Sequence, residues 1–255
     1  EVAERMRPGN FVVLITVPSG ERIPMSVQKA EDGKISMFVK KLGKTSKALD
    51  ACDECTELEA VVGPMGKPVE LKKYGNVVFV SDLVCGHAEN YFFSQAFSKI
   101  EGNHMISMQT FPTKDEIYPE EYLAKDLCDE YYLTTKDGSV GLKGHYLEKL
   151  KELLDEGRCD IIFGGGDIPG LQKLAELTKP YGVPTIVTVR QIMIDATGMC
   201  GSCRVFVDGE MKLTCIDGPM FDAMKLDFED IISRLEMFKV AEARAMEWCK
   251  KQKLC

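Results

Sequence analysis

Asp195, Cys200, Cys203 and Cys215 are the residues of this chain whose types and spacing point most directly to chemistry. Four residues separate the first two, two the next pair and eleven the last. That is the plant-type [2Fe–2S] spacing, with Asp where the pattern has its first Cys. Iron–sulfur clusters are held by thiolates whose sulfurs accept backbone N–H bonds from a tight loop, and Gly198 and Gly201 free the backbone to fold that way. A two-iron cluster needs four protein ligands. Either Asp195 supplies a carboxylate oxygen at the required spacing, or a cysteine from elsewhere completes the set. Two other readings stand beside this one. Zinc also takes three thiolates and a carboxylate, and three unligated buried thiols would show the same residues.

The elements that must position this loop follow two rhythms. Phe11 to Val17, Ile23 to Val27 and Ile35 to Lys40 read as short strands, separated by turns at Pro18 to Gly20 and Glu31 to Gly33. That is the pattern of a small antiparallel β-barrel. The Gly- and Pro-rich stretch from Gly63 to Pro68 leads to a boundary at Tyr74-Gly75. Beyond it, apolar runs at Val77 to Val80, Tyr131 to Thr134, Asp160 to Phe163 and Thr185 to Val189 read as strands. Ala88 to Lys99, Tyr146 to Glu156 and Leu171 to Thr178 have helical periodicity. Such alternation implies an open parallel sheet covered by helices. After the cysteine loop, Phe228 to Lys250 reads as one long helix with Ile231, Ile232, Leu235, Phe238, Ala245 and Trp248 on one side, a face expected to pack on its own domain. The expected units are 1–73, 74–190 and 191–255.

A chain of 255 residues can bury one large or two medium cores. Its net charge of −8 argues against nucleic acid or an anionic membrane as the main partner. No run of 18 apolar residues exists, and Glu1 to Pro8 has no hydrophobic signal core. The expectation is a soluble, cytoplasmic protein without membrane insertion, its ten cysteines kept in a reducing compartment. Cys52 and Cys55 form a Cys-x-x-Cys pair without a second pair and are read as incidental. His104 and His145 are read as ordinary residues, since neither has a second ligand at helical spacing.

Several segments in order carry a resemblance: Arg7 to Phe11, Arg22 to Ser26, Gly43 to Ser46, Val62 to Gly66, Thr135 to Ser139 with Gly141 and Gly144, the cysteine loop, and Cys215 to Pro219 with Phe221 and Asp222. Together they resemble the flavin- and iron–sulfur-carrying electron-transfer subunits related to ferredoxin–NADP reductase. These include the electron-transfer subunit of dihydroorotate dehydrogenase and the small subunit of NADH-dependent ferredoxin–NADP oxidoreductase. The resemblance implies FAD in the barrel cleft. It places Arg22 on the diphosphate, and Ser26, with Pro24 and Met25, near the isoalloxazine ring. Backbone N–H groups of Gly43, Lys44, Thr45 and Ser46 would meet the pyrophosphate, and Gly63 and Gly66 complete the flavin-binding set. It also implies a [2Fe–2S] cluster with an Asp ligand, larger partner subunits carrying flavin or iron–sulfur centres, and a hetero-oligomer. Family members carry about one more strand ahead of Pro8-Gly9.

At the pyridine-nucleotide site the chain departs from that family. A Gly-rich turn ending in Ala-Pro is expected after the first strand of the α/β domain. Ser81 to Asn90 retains only Gly86 and brings Asp82 and Glu89 toward the pyrophosphate position. Gly164 to Gly166 keeps glycine at the second turn, with Asp167 adding charge. The expected function is thus a relay between FAD and a [2Fe–2S] cluster, to or from a partner subunit. The alternatives are a working NAD(P)H oxidoreductase, or a non-catalytic subunit with a structural metal site.

Overall fold

The computed structural model describes residues 1–18 and 20–251. Ser19 in the first expected turn and residues 252–255 lie outside them. In chain order the helices and strands are α1 Val2–Arg5, β1 Phe11–Ile15, β2 Arg22–Ser26, β3 Lys29–Glu31, β4 Lys34–Ser36, α2 Lys44–Asp50, β5 Ala60–Met65, β6 Asn76–Ser81, α3 Val84–Phe97, β7 His104–Phe111, β8 Glu130–Thr135, β9 Leu142–Lys143, α4 Tyr146–Asp155, β10 Ile161–Gly165, α5 Ile168–Thr178, β11 Thr185–Thr188, β12 Arg204–Val207, β13 Glu210–Leu213, β14 Met220–Asp222, α6 Phe228–Glu236 and α7 Lys239–Lys251. Strands β2-β1-β5 form an antiparallel sheet beside the β3–β4 hairpin, and β12–β13 is a separate hairpin. A seven-stranded sheet runs β14-β11-β10-β6-β7-β8-β9, parallel except for β14.

Alternation along β6 explains the layers, since successive side chains of a strand point to opposite faces. Val77 and Phe79 join Phe93, Phe97 and Phe163 under α3. Val78 and Val80 join Leu150, Leu153, Leu171, Leu174 and Ile231 under α4, α5 and α6. The Phe79 and Phe93 ring centroids lie 4.8 Å apart and Phe93 and Phe163 5.1 Å, within the range of favourable aromatic pairs.

Strand β7 was hidden from the apolar reading because Ser107, Gln109 and Thr110 interrupt it, yet all three are fully buried. Ser107 and Gln109 belong to a polar seam beneath α3, whereas the Thr110 hydroxyl, on the opposite face, meets Thr134 of β8 and accepts the Tyr146 amide of α4. The Asn90 amide donates to Ser81 Oγ (3.0 Å), the Ser107 hydroxyl to Asn90 Oδ1 (2.7 Å) and the Tyr131 hydroxyl to Gln109 Oε1 (2.9 Å). Each buried polar group so paired avoids the desolvation cost of an orphan.

His87 sits in this seam, its Nδ1 2.9 Å from Ser81 Oγ and its ring 4.3 Å from that of Phe111. Burial pushes its pKa down to about 3. The unfolded chain takes the proton near the ordinary value of about 6.5, so below that pH it binds more protons than the native state. Stability from His87 is therefore complete above pH 6.5 and falls by about 1.4 kcal/mol per pH unit down toward pH 3. Urea midpoints measured from pH 8 to pH 5 should show this slope, and His87→Gln should remove it. An identical slope in the variant would refute the assignment.

Two expected elements are corrected. The strand from Ile35 ends at Ser36, because Phe38, Val39 and Lys40 leave the hairpin to line a cavity. The single C-terminal helix is two, interrupted at Met237 and Phe238. Its expected apolar face packs only through α6: Ile231 is buried, whereas Phe238, Ala245 and Trp248 are exposed. Among the described residues no helix is long and apolar enough to cross a membrane.

Candidate functional site

The cysteine loop lies against the outer face of the antiparallel sheet. Cys203 and Cys215 are buried with Phe11, Val13 and Ala196, and their sulfurs are 3.2 Å apart as free thiols. Cys200 is exposed. Asp195 accepts N–H bonds from Thr197 (2.9 Å) and Cys200 (2.8 Å), which hold its carboxyl below the usual range. The Ser202 hydroxyl and amide approach Cys200 Sγ at 3.1 and 3.5 Å and lower its pKa. Burial and the neighbouring Cys203 push the Cys215 thiol up to about 12, while the Gly198 amide opposes the rise. Gly198 and Gly201 have φ of 82° and 66°, the left-handed region that turns these amides toward sulfur.

Among the described residues no three His, Cys, Asp or Glu side chains gather as they would round a single ion. The donors stand instead two and two: a buried thiol pair, and the Asp195–Cys200 pair at the surface. The Ser202 amide on Cys200 Sγ and the Gly198 amide on Cys215 are backbone donors of the kind a cluster's thiolates require. The residue types fit an iron–sulfur centre.

Beside this loop, a cavity of about 330 Å³ opens between β2, α2, the start of α3 and the segment after β11. Of the residues expected at the flavin, Pro24, Met25, Ser26 and Ser46 line it. Ser46 Oγ accepts from the Leu42 and Gly43 amides (2.8 and 2.9 Å), leaving the first-turn amides of Lys44, Thr45 and Ser46 without intrahelical acceptors. The Thr45 hydroxyl bonds Glu21. Arg22 is exposed and donates to the Asp195 carbonyl at 3.1 Å, tying the cavity's edge to the cysteine loop.

Gly63 and Gly66 are not themselves lining residues. A Cβ on Gly63 would lie 2.9 Å from Val12, and one on Gly66 2.8 Å from the Gly218 carbonyl, so both serve close packing. Sequence reasoning did not assign Thr188, Arg190, Gln191 and Met193 to the cavity, and it read Glu89 only as an unfavourable charge. All five line it. Their only signal was position at or after the end of a strand, or in a helix. Phe11 and Met193 belong both to the cavity wall and to the apolar cluster around the cysteines.

The crevice at the carboxyl ends of β6 and β10 carries a buried carboxylate. Strand order reverses at β6, with β7 on one side and β10 on the other, the place where open α/β sheets bind ligands. Asp82 stands there, its side chain 3% exposed. It accepts the Asp167 amide at 3.2 Å and lies 3.2 Å from His145 Nε2. A Cβ on Gly166 would fall 2.3 Å from Asp82 Oδ1, and Arg190 caps the Gly166 carbonyl. The exposed Cys52 and Cys55 lie on the turn after α2.

Comparison with known proteins agrees with this layout. Residues 190–227 match the iron–sulfur cluster binding domain of dihydroorotate dehydrogenase B. The chain is 37% identical over 249 residues to a dihydroorotate dehydrogenase B (NAD(+)) electron transfer subunit homolog of Thermotoga maritima, covering 96% of this chain and 86% of that one. A probable electron transfer subunit of the same enzyme from Methanopyrus kandleri is 29% identical, over 88% of this chain and 82% of its own length. A solved chain of the NADH-dependent reduced ferredoxin–NADP oxidoreductase, described for flavin-based electron bifurcation, superposes with a TM-score of 0.88 at 35% identity, covering 96% and 88% of the two chains. An Amycolatopsis cytochrome P450 reductase, at TM-score 0.59 and 14% identity over 69% and 58%, shares the fold alone. With that extent of identity to the Thermotoga protein, the chain belongs to the dihydroorotate dehydrogenase B electron-transfer subunit family.

Proposed function

We propose that this chain relays electrons between FAD in the 330 Å³ cavity and a [2Fe–2S] cluster held by Asp195, Cys200, Cys203 and Cys215, and exchanges them with a larger partner subunit. The observation that carries this reading is the shared wall. Among the described residues Phe11 and Met193 belong to both the cavity lining and the cysteine cluster, so the two centres lie back to back. When bound, FAD supplies two-electron exchange and the cluster single-electron steps. The protein's part is to hold, orient and shield them. Pro24, Met25, Ser26 and Ser46 would flank the flavin, and the first-turn amides of α2 would face its phosphates. The units 1–73, 74–190 and 191–255 then serve flavin, scaffold and cluster, the last lending β14 to the sheet. The free thiols suit a reducing, cytoplasmic setting.

NAD(P)H is not the electron source in this reading. The pyrophosphate of a dinucleotide needs glycine backbone and a helix N-terminus, whereas here a buried carboxylate holds that place by bonds to Asp167 and His145. An anaerobic titration followed by visible absorbance and EPR tests both parts. Dithionite should bleach flavin and cluster, and excess NADH or NADPH should leave both spectra unchanged. Bleaching by either nucleotide would make the chain an input subunit, and a preparation lacking flavin or iron would overturn the relay.

A further inference from the structure

One carboxyl on the flavin cavity has no part in the assignments above. Glu89, on α3, reaches two other elements at once. Its Oε1 accepts the Ser26 hydroxyl of β2 at 2.7 Å, and its Oε2 accepts the Thr188 hydroxyl of β11 at 2.7 Å. All three residues line the cavity. A Cβ on Gly165 of β10 would come within 2.9 Å of Oε2, so the carboxyl is seated against backbone as well.

We infer that Glu89 is a positioning residue for the isoalloxazine ring, fixing the Ser26 hydroxyl as an acceptor toward the cavity. A serine has one hydroxyl proton, and here Glu89 takes it. Ser26 therefore offers lone pairs to a ring N–H and has no proton for an unprotonated ring nitrogen. This arrangement holds the flavin at low potential, the condition for passing electrons onward.

The groups that face the carboxyl are few. Burial pushes the Glu89 carboxyl above the usual range, while the Ser26 and Thr188 hydroxyls and Arg190, beyond β11, favour the anion. Cys85 on the same helix is held as a thiol by burial. Lys40 stands on the wall beyond β4. From β10 only Gly165 contributes, and it is uncharged.

The inference rests on the flavin reading, and its test separates the two. Spectroelectrochemical titration at pH 8 should give bound-flavin midpoints for the wild type, Glu89→Gln and Thr188→Val, with flavin content measured after release. Glu89→Gln should retain flavin and shift its redox equilibrium at least tenfold toward the reduced form, about 30 mV for a two-electron couple. The cluster midpoint should stay where it was. Thr188→Val, which leaves the carboxyl but removes one donor, should move the flavin midpoint the same way by less. Should Glu89→Gln come out flavin-free, Thr188→Val decides the matter alone. Flavin midpoints equal to wild type would overturn the role of Glu89. A wild-type protein without flavin would overturn the flavin reading and this role together, before any variant is made.

Discussion

Cys203→Ser should strip iron from the protein and abolish its cluster absorbance and EPR signal while leaving flavin bound. Cys203 is buried and shares its position with Cys215, sulfur to sulfur at 3.2 Å. Loss of an outer-shell partner alone costs about 10–100-fold in metal affinity, and loss of a thiolate ligand costs more. The Cys215 thiol adds to the effect. With its pKa pushed up to about 12, it must surrender a proton to bind metal, and only a complete ligand set offsets that cost. Asp195 behaves differently, since amide bonds from Thr197 and Cys200 already keep its carboxyl ionised. Asp195→Ala should lower iron content strongly, and Asp195→Cys should restore it with an altered EPR spectrum. Unchanged iron and spectrum in Asp195→Ala would remove that residue from the ligand set and reopen the search for the fourth donor.

The cysteine spacing and the β–α alternation were legible because each is a local pattern with one physical cause. What escaped was non-local. Strand β7 reads as polar because Ser107, Gln109 and Thr110 are satisfied by α3 and β8 rather than by water. Strand β5 contains Pro64, which argues against a strand unless it lies on an edge, as β5 does. Glu89 was visible only as a charge of the wrong sign for a phosphate. Its partners, Ser26 and Thr188, lie 63 and 99 residues away, and no periodicity joins them. Arg22 shows the same limit, since its bond to the Asp195 carbonyl spans 173 residues. The two halves of the site meet through such pairs, so a one-dimensional reading finds the cofactor loops and misses the residues that tune them.

Gly86→Ala should destabilise the protein and empty the flavin cavity, although helix propensity alone predicts the opposite. Within α3, replacing Gly by Ala ordinarily stabilises by about 0.5–1 kcal/mol. Here the added Cβ would lie 2.0 Å from the Gly165 carbonyl oxygen and 2.4 Å from its carbon, both backbone atoms of β10. Neither can rotate aside, so the first turns of α3 must lift off the sheet. Overpacking of this kind costs about 1–3 kcal/mol, which exceeds the propensity gain. The same turns carry Cys85 and Glu89 on the cavity wall, and Gly165 in turn sits 2.7 Å, by its own would-be Cβ, from Gly86 Cα. A lift of the helix therefore pulls Glu89 from Ser26 and Thr188 and opens the wall that shields the ring. Urea midpoints and bound-flavin content should fall together in this variant, whereas the iron content, held by a loop on the antiparallel sheet, should fall less. A Gly86→Ala protein with the wild-type midpoint and full flavin would show that α3 and β10 yield at this contact, and that the cavity does not depend on it.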